Sequence, residues 1–102
     1  MAIATINPTN GVVEEEFEAI SASEVERRLA LAQSTFEHLK STSFAQRGAW
    51  LVKAAEILES EVEETAVMLV REMGKTIAQA RGEVLKSAKG LRFYAEHVAT
   101  FL

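Results

Sequence analysis

Four segments of the chain begin with the same local pattern, a hydroxyl residue followed three positions later by Glu or Gln. In such a capping box the hydroxyl oxygen accepts a hydrogen bond from a free amide at the helix start, and the later side chain bonds back to the cap residue. The four matches are Ser23-x-x-Glu26, Ser43-x-x-Gln46, Ser60-x-x-Glu63 and Thr76-x-x-Gln79. Because each match opens a run of helical period, the pattern predicts four helices that begin at these residues.

Behind each cap, apolar residues recur at intervals of three and four, which places them along one face of a helix. The stripes are Val25, Leu29, Ala32, Phe36 and Leu39 in the first helix; Trp50, Leu51, Ala54, Ile57 and Leu58 in the second; Val62, Ala66, Leu69 and Met73 in the third; and Ile77, Ala80, Val84, Ala88, Leu91, Ala95, Val98 and Leu102 in the fourth. Each stripe is expected to be buried against the other helices. Gly74 is predicted to end the third helix in the left-handed conformation, and Gly82 and Gly90 are predicted to let another backbone approach the fourth.

The residues before the first cap follow a strand pattern. A β-prone run over residues 3–6 stops at Asn-Pro-Thr-Asn-Gly (7–11), which is turn chemistry, and a second β-prone run follows over residues 12–17. The sequence therefore predicts a mainly α fold in a single segment, with a β-hairpin over 3–17 and a helical block over 23–102. Since an isolated hairpin is marginal in water, we expect its strands to pack on another part of the chain.

Composition excludes several classes of function. The net charge of −4 argues against binding to a phosphate backbone, so no nucleic acid partner is expected. The longest apolar run, residues 66–70, is far too short to cross a membrane. No basic stretch followed by an apolar one marks a secretory signal, so a cytoplasmic location is expected. The absence of cysteine removes disulfides, thiolate metal sites and a cysteine nucleophile.

Gly74-Lys75-Thr76 resembles the end of a phosphate-binding P-loop, but two features argue for a helix end and a cap instead. A P-loop requires a glycine where this chain has Leu69, and it follows a strand rather than an amphipathic helix. His38 and His97 lack the spacing of metal ligands. The residues thus identify no catalytic group and no coenzyme-binding group.

Two acidic clusters, Glu14 to Glu16 and Glu59 to Glu64, are interpreted as solvated faces.

Four runs of the sequence occur in a characteristic order and spacing. They are Thr5-Ile6-Asn7-Pro8-Thr9-Asn10-Gly11, Phe44-Ala45-Gln46-Arg47-Gly48-Ala49-Trp50-Leu51, Glu72-Met73-Gly74-Lys75-Thr76 followed by Glu83-Val84, and Leu91-Arg92-Phe93-Tyr94-Ala95. Together they resemble the N-terminal portion of the aldehyde dehydrogenase family, and within it most closely the bacterial succinate-semialdehyde dehydrogenases that use NAD or NADP. The similarity covers essentially the whole chain.

The resemblance implies an N-terminal segment of an α/β enzyme rather than a complete one. In the family, a cysteine thiolate attacks the aldehyde, a hydride passes to NAD or NADP, and the thioester is hydrolysed. The residues that perform these steps come later in the family's sequence, and none matches a position here. The chain alone is therefore expected to bind no coenzyme and to be inactive. Its last apolar stripe continues to Leu102, which also suggests an incomplete domain.

The resemblance further implies a structural monovalent cation, held in some family members by main-chain carbonyls before the Asn-Pro turn and by an acid on a later helix. The matching positions are Thr5, Ile6 and Glu83, where Glu83 replaces a familiar aspartate. Oxygen ligands suit such a hard cation. The alternative is that Glu83 only caps the helix or faces solvent.

Three interpretations of the whole chain follow. The leading one is a scaffold fragment of an aldehyde dehydrogenase, partnered by the remainder of that enzyme or by self-association. The second is a free-standing helical protein-interaction module that docks an exposed stripe on a partner. The third is a product of a frameshifted gene that has no function.

Overall fold

The computed structural model describes residues 3–102, so Met1 and Ala2 of the predicted segment 1–102 lie outside the described residues. Two strands come first, β1 (Ile3–Ile6) and β2 (Val13–Phe17). Four helices follow, α1 (Ala22–Leu39), α2 (Phe44–Ser60), α3 (Val62–Met73) and α4 (Ile77–Phe101). The predicted mainly α fold, a hairpin followed by four helices, is confirmed.

The hairpin pairs β1 with β2 in antiparallel fashion, and its register carries a bulge. Thr5 lies opposite Glu15 and Ile6 lies opposite Val13, so Glu14 has no residue opposite it. A bulge bends a strand and redirects the side chain of the extra residue. In the turn, Gly11 adopts a φ of +73°, and its amide donates to the carbonyl oxygen of Asn7 at 2.8 Å.

Two of the four predicted caps are confirmed. The Ser43 hydroxyl accepts from the amide of Gln46 at 3.1 Å at the start of α2, and the Thr76 hydroxyl accepts from the amide of Gln79 at 3.3 Å at the start of α4. Both cap residues have the extended backbone that a cap requires.

The other two predicted caps are wrong. Helix α1 is capped by Ser21, whose hydroxyl accepts from the amide of Glu24 at 3.1 Å, and not by Ser23. Ser21-x-x-Glu24 matches the same pattern as Ser23-x-x-Glu26, so local chemistry did not choose between them. Ser60 donates its hydroxyl to the carbonyl oxygen of Ile57 at 2.8 Å within α2, and α3 begins without a side-chain cap.

Small side chains form the core between α4 and its neighbours α2 and α3. The buried apolar residues are Ala55, Ala66, Ala80, Val84 and Ala88. Two arginines of α4 also bind glutamates of the neighbouring helices at the surface, and each donates two hydrogen bonds to one carboxylate. Arg92 donates to Glu59 of α2 at 3.0 and 2.6 Å, and Arg81 donates to Glu63 of α3 at 2.8 and 2.7 Å. Two members of the Glu59 to Glu64 cluster thus also join helices, while the cluster stays on a solvated face as interpreted, with side chains 39% exposed at Glu59 and 64% exposed at Glu63.

Among residues 3–102 nothing makes the close approach predicted at Gly82 and Gly90, because a Cβ built at either glycine would meet no atom of these residues within 4 Å. The approach occurs instead at Gly48 of α2, which is buried. A Cβ there would lie 3.0 Å from the carbonyl oxygen of Ala95 in α4. The absent side chain at Gly48 therefore sets the distance between these two helices.

The prediction that every apolar stripe is buried within the chain is wrong in part. Residues of the later stripes are exposed, namely Trp50, Ile57, Met73, Ile77 and Leu102. Helix α1 departs from the prediction furthest. None of its residues is buried, and no Cα of another described element lies within 8 Å of it. The whole chain is correspondingly extended, with a radius of gyration of 17.8 Å against roughly 13 Å for a compact domain of about 100 residues. It forms a slab 47 × 40 × 21 Å across.

Candidate functional site at the hairpin and helix junction

The turn of the hairpin lies on the end of α3. Gly74 adopts a φ of +68° directly after α3, and its amide donates to the carbonyl oxygen of Val70 at 3.0 Å. A Cβ at Gly74 would lie 3.0 Å from Cγ of Pro8. The predicted helix stop is confirmed, and it has a second role, since glycine leaves the space that Pro8 occupies.

Glu14, the extra residue of the bulge, connects the hairpin to α3. Its carboxylate accepts from Nδ2 of Asn7 at 3.0 Å and forms an ion pair with the guanidinium of Arg71, and its side chain is 16% exposed. The hydrogen bond from Arg71, with that from Asn7, holds the pKa of Glu14 below its ordinary value. The interpretation of Glu14 as part of a solvated face is therefore wrong.

The sequence contains a signal for this role. Successive strand residues point to opposite faces, so Glu14, Glu15 and Glu16 cannot share one environment within a strand. A basic residue in the last turn of a helix, as Arg71 is, also lies within reach of an element packed on that end.

The three residues predicted to hold a cation lie on two elements, β1 and α4. Thr5 and Ile6 are successive residues of β1, and Thr5 lines an open depression of about 540 Å³ between the hairpin and α3. Glu83 lies on α4, ion-paired to Lys75, and borders a separate depression with Gly82. The structure brings Thr5 and Ile6 together, but it does not place Glu83 in the depression that Thr5 lines.

Thr5 carries an unsatisfied polar atom. Its Oγ1 is buried and has no hydrogen-bond partner among the described residues. Leaving a buried hydroxyl unpaired costs roughly 1–3 kcal/mol. The atom therefore marks Thr5 as a place where a further polar partner would be favourable.

Carboxylates dominate the depression beside Thr5. Five of the nine lining residues are glutamates, namely Glu14, Glu15, Glu63, Glu64 and Glu72, and the one arginine, Arg71, is already paired with Glu14. Within residues 3–102 no group of three or more His, Cys, Asp or Glu side chains has the arrangement of a metal site. His97 instead places Nδ1 2.8 Å from the carbonyl oxygen of Phe93. The ion pairs Glu14–Arg71 and Glu63–Arg81 at this junction join the hairpin to α3 and α3 to α4.

No helix in the described part of the chain is long and apolar enough to cross a membrane.

Comparison with known sequences assigns the whole chain to one family. The family model described as the aldehyde dehydrogenase family matches residues 1–102. An aldehyde dehydrogenase of Paenarthrobacter nicotinovorans is 49% identical over 102 residues, and a probable NADP-dependent succinate-semialdehyde dehydrogenase of Synechocystis is 50% identical. Each match covers the whole of this chain and 22% of the relative, so the chain spans about a fifth of the length of these proteins.

Solved structures agree on the fold. The chain superposes on Gox0499, described in terms of cofactor and substrate selection, with a TM-score of 0.94 and 29% identity, covering all of this chain and 23% of that one. It superposes on the glyceraldehyde-3-phosphate dehydrogenase GapN of Methanocaldococcus jannaschii, solved with NADP, with a TM-score of 0.87 and 29% identity, covering 95% of this chain and 21% of that one. These matches confirm the resemblance drawn from the four sequence runs. The chain belongs to the aldehyde dehydrogenase family and corresponds to the N-terminal part of such an enzyme.

Proposed function

We propose that this chain is the N-terminal scaffold of an NAD(P)-dependent aldehyde dehydrogenase whose substrate is succinate semialdehyde. The observation that carries the proposal is the match of all 102 residues to relatives named for that reaction, at 45 to 50% identity. In such an enzyme the bound coenzyme accepts the hydride. The chain itself has no cysteine to act as the nucleophile, so its part in the reaction is structural.

The surface of this segment does not suit the coenzyme. A dinucleotide carries phosphate charges. The depression beside Thr5 is lined by five glutamates, of which Glu14 and Glu63 are paired with arginines, so the unpaired remainder leaves it negative and repels phosphate. We therefore assign coenzyme binding to the remainder of the enzyme. What this chain contributes is a rigid base in which the Glu14–Arg71 ion pair and the contact of Pro8 with Gly74 hold the hairpin on the helices.

The scaffold role is tested with a chimera in which this chain replaces the matching N-terminal 22% of the Synechocystis relative. We expect a folded protein that reduces NADP in the presence of succinate semialdehyde, whereas the isolated 102-residue chain does not. A folded but inactive chimera, or activity of the isolated chain, would overturn the proposal.

Substrate and coenzyme are tested separately, on the polypeptide that joins this segment to the rest of its own enzyme. The kcat/KM is measured for succinate semialdehyde, glyceraldehyde 3-phosphate and benzaldehyde, first with NAD and then with NADP as the coenzyme. A higher kcat/KM for either of the other aldehydes would exclude succinate semialdehyde as the principal substrate.

We also propose that the carbonyl oxygens of Thr5 and Ile6, with the carboxylate of Glu83, bind a monovalent cation. The unpaired hydroxyl of Thr5 supports the proposal, since it leaves this part of β1 short of one polar partner. The ammonium of Lys75 already neutralises Glu83 and is the competitor that a cation must displace.

Melting temperatures in K⁺, Na⁺ and tetramethylammonium test the cation site. We expect K⁺ or Na⁺ to raise the melting temperature, more strongly in Lys75→Met, which removes the competitor, and not at all in Glu83→Gln. Equal melting temperatures in the three salts, for both the natural chain and Lys75→Met, would exclude the site.

A further inference from the structure

The turn of the hairpin contains the chain's two asparagines, and the residue after each decides its chemistry. Asn10 precedes Gly11, whereas Asn7 precedes Pro8. An asparagine is deamidated when the amide nitrogen of the next residue attacks its Cγ, and glycine leaves that nitrogen unobstructed because it has no Cβ. Proline has no N–H to lose, so Asn7 cannot react in this way. Asn10 is therefore the asparagine with a reactive neighbour.

The turn orients the side chain of Asn10 and activates its carbonyl group. Oδ1 of Asn10 accepts a hydrogen bond from the amide of Val12 at 2.9 Å. This oxygen becomes negatively charged when Cγ is attacked, and a fixed N–H donor stabilises a charge that develops in this way. The hydrogen bond that orients the side chain thus also favours the attack on it.

The nucleophile, the amide nitrogen of Gly11, is restrained in the folded turn. It donates to the carbonyl oxygen of Asn7 at 2.8 Å, and the amide of Asn7 donates to the carbonyl oxygen of Val12 at 2.8 Å. A main-chain amide that is hydrogen-bonded in a folded segment loses its proton mainly when the segment opens. The reaction therefore has to wait for the turn to open.

The contacts between the hairpin and α3 resist this opening. The carboxylate of Glu14 accepts from Nδ2 of Asn7 and forms an ion pair with Arg71. On the same end of α3, Pro8 of the turn lies on Gly74. Because Glu14 binds both the turn and the helix, removing its charge should let the turn open more often.

We propose that Asn10 is a site of spontaneous deamidation, and that the ion-paired contact of the hairpin with α3 controls its rate. The Gly11 nitrogen loses its proton and bonds to Cγ of Asn10, while Nδ2 takes up a proton and leaves as ammonia, which closes a succinimide ring. Water then opens the ring. Cleavage of the bond from Cγ to the nitrogen gives aspartate, and cleavage of the bond from the main-chain carbonyl carbon to the nitrogen gives isoaspartate. Isoaspartate lengthens the main chain by one carbon atom, so the turn can no longer form its bonds and the hairpin is loosened permanently.

Peptide mapping by mass spectrometry tests the site in the 102-residue chain after storage at mildly alkaline pH. The natural sequence contains no aspartate, so a protease specific for aspartate should cleave the stored protein only at the product of Asn10. Labelling with an isoaspartate methyltransferase measures the second product. We expect both products at Asn10, an intact amide at Asn7, and a reaction at least about tenfold faster when the chain is unfolded in urea.

Two variants of β2 that remove the same charge test how the rate is controlled. Glu14→Gln loses the ion pair with Arg71 and should deamidate about threefold faster than the natural chain. Glu16→Gln is the matched control, since Glu16 is an exposed residue of the same strand without an ion pair among residues 3–102, and its rate should equal that of the natural chain. High salt, which screens the Glu14–Arg71 pair, should speed the reaction in the natural chain and not in Glu14→Gln.

The outcomes are distinct. An Asn10 amide that stays as intact as that of Asn7, in the folded and in the unfolded chain, would exclude the site. Equal rates in Glu14→Gln and Glu16→Gln, together with no effect of salt on the natural chain, would show that the contact with α3 does not control the reaction. Circular dichroism of each variant establishes that its helices are folded, so that faster deamidation is assigned to the turn and not to global unfolding.

Discussion

The same substitution, glycine to alanine, is expected to have opposite effects at different places in these helices. At Gly82 and Gly90 an added Cβ meets no atom of the described residues within 4 Å. Alanine there should raise the free energy of unfolding only because it reduces the backbone freedom of the unfolded chain. That gain is about 0.4–1 kcal/mol for each site. At Gly48 the same gain is opposed by a contact of 3.0 Å with the backbone oxygen of Ala95.

The cost at Gly48 can be bounded. Because the obstructing atom belongs to the backbone of α4, it cannot rotate away as a side chain would, and α2 and α4 must move apart. Forcing an extra methyl group into a packed interface costs roughly 1–3 kcal/mol. After the gain in helix propensity is subtracted, we expect Gly48→Ala to lower the free energy of unfolding by about 1 kcal/mol. At this chain length that difference corresponds to roughly 4–8 °C in melting temperature.

The melting temperatures of the three variants and the natural chain are compared by thermal unfolding monitored with circular dichroism at 222 nm. Gly82→Ala and Gly90→Ala should melt at or above the temperature of the natural chain, and Gly48→Ala below it. If Gly48→Ala melted as high as Gly82→Ala, then α2 and α4 would not be held at the distance that the absent Cβ implies.

Three further perturbations address the caps and the ion pairs. Thr76→Ala should lower the free energy of unfolding by about 1 kcal/mol, whereas Ser60→Ala should change it by less than about 0.5 kcal/mol because Ser60 caps no helix; urea titrations compare them. Glu14→Gln should destabilise the chain at pH 7, and the difference should shrink as the pH falls below the ordinary value of 4.5. The lowered pKa of Glu14 means that its ion pair with Arg71 contributes above the ordinary value of 4.5 and is lost as the pH falls through the lowered value, so an undiminished difference at low pH would contradict the assignment. Arg47 of α2 donates to the carbonyl oxygens of Leu39 and Thr42 at the end of α1. Arg47→Lys should therefore speed amide exchange in the last turn of α1 and leave α4 unchanged, since lysine has no fork of donors for several carbonyls, and equal exchange rates would show that these bonds do not stabilise the end of α1.

The sequence itself contains signals for the close approach at Gly48 and for the role of Arg47. A glycine inside a helix costs about 1 kcal/mol relative to alanine, and this argument applied to Gly48 as much as to Gly82 and Gly90. Arg47 stands near the positive end of the α2 dipole, where a basic side chain is unfavourable without a partner, and it finds its partners at the end of α1.

The assignment of the cation ligands remains a prediction. The structure adds the unpaired hydroxyl of Thr5 and the Lys75–Glu83 ion pair to what the resemblance supplied. Neither could be inferred from spacing, because both depend on how the hairpin, the turn after α3 and the first turns of α4 come together.

The sequence by itself determined the features that depend on a few neighbouring residues. The caps at Ser43 and Thr76, the left-handed stop at Gly74 and the turn between the strands each follow from the chemistry of three to five adjacent positions. Only the tertiary structure decided which surfaces meet, because an apolar stripe states that a face prefers burial and does not state what buries it. Helix α4 meets α2 and α3 through its small residues, while no described element packs on the stripe of α1.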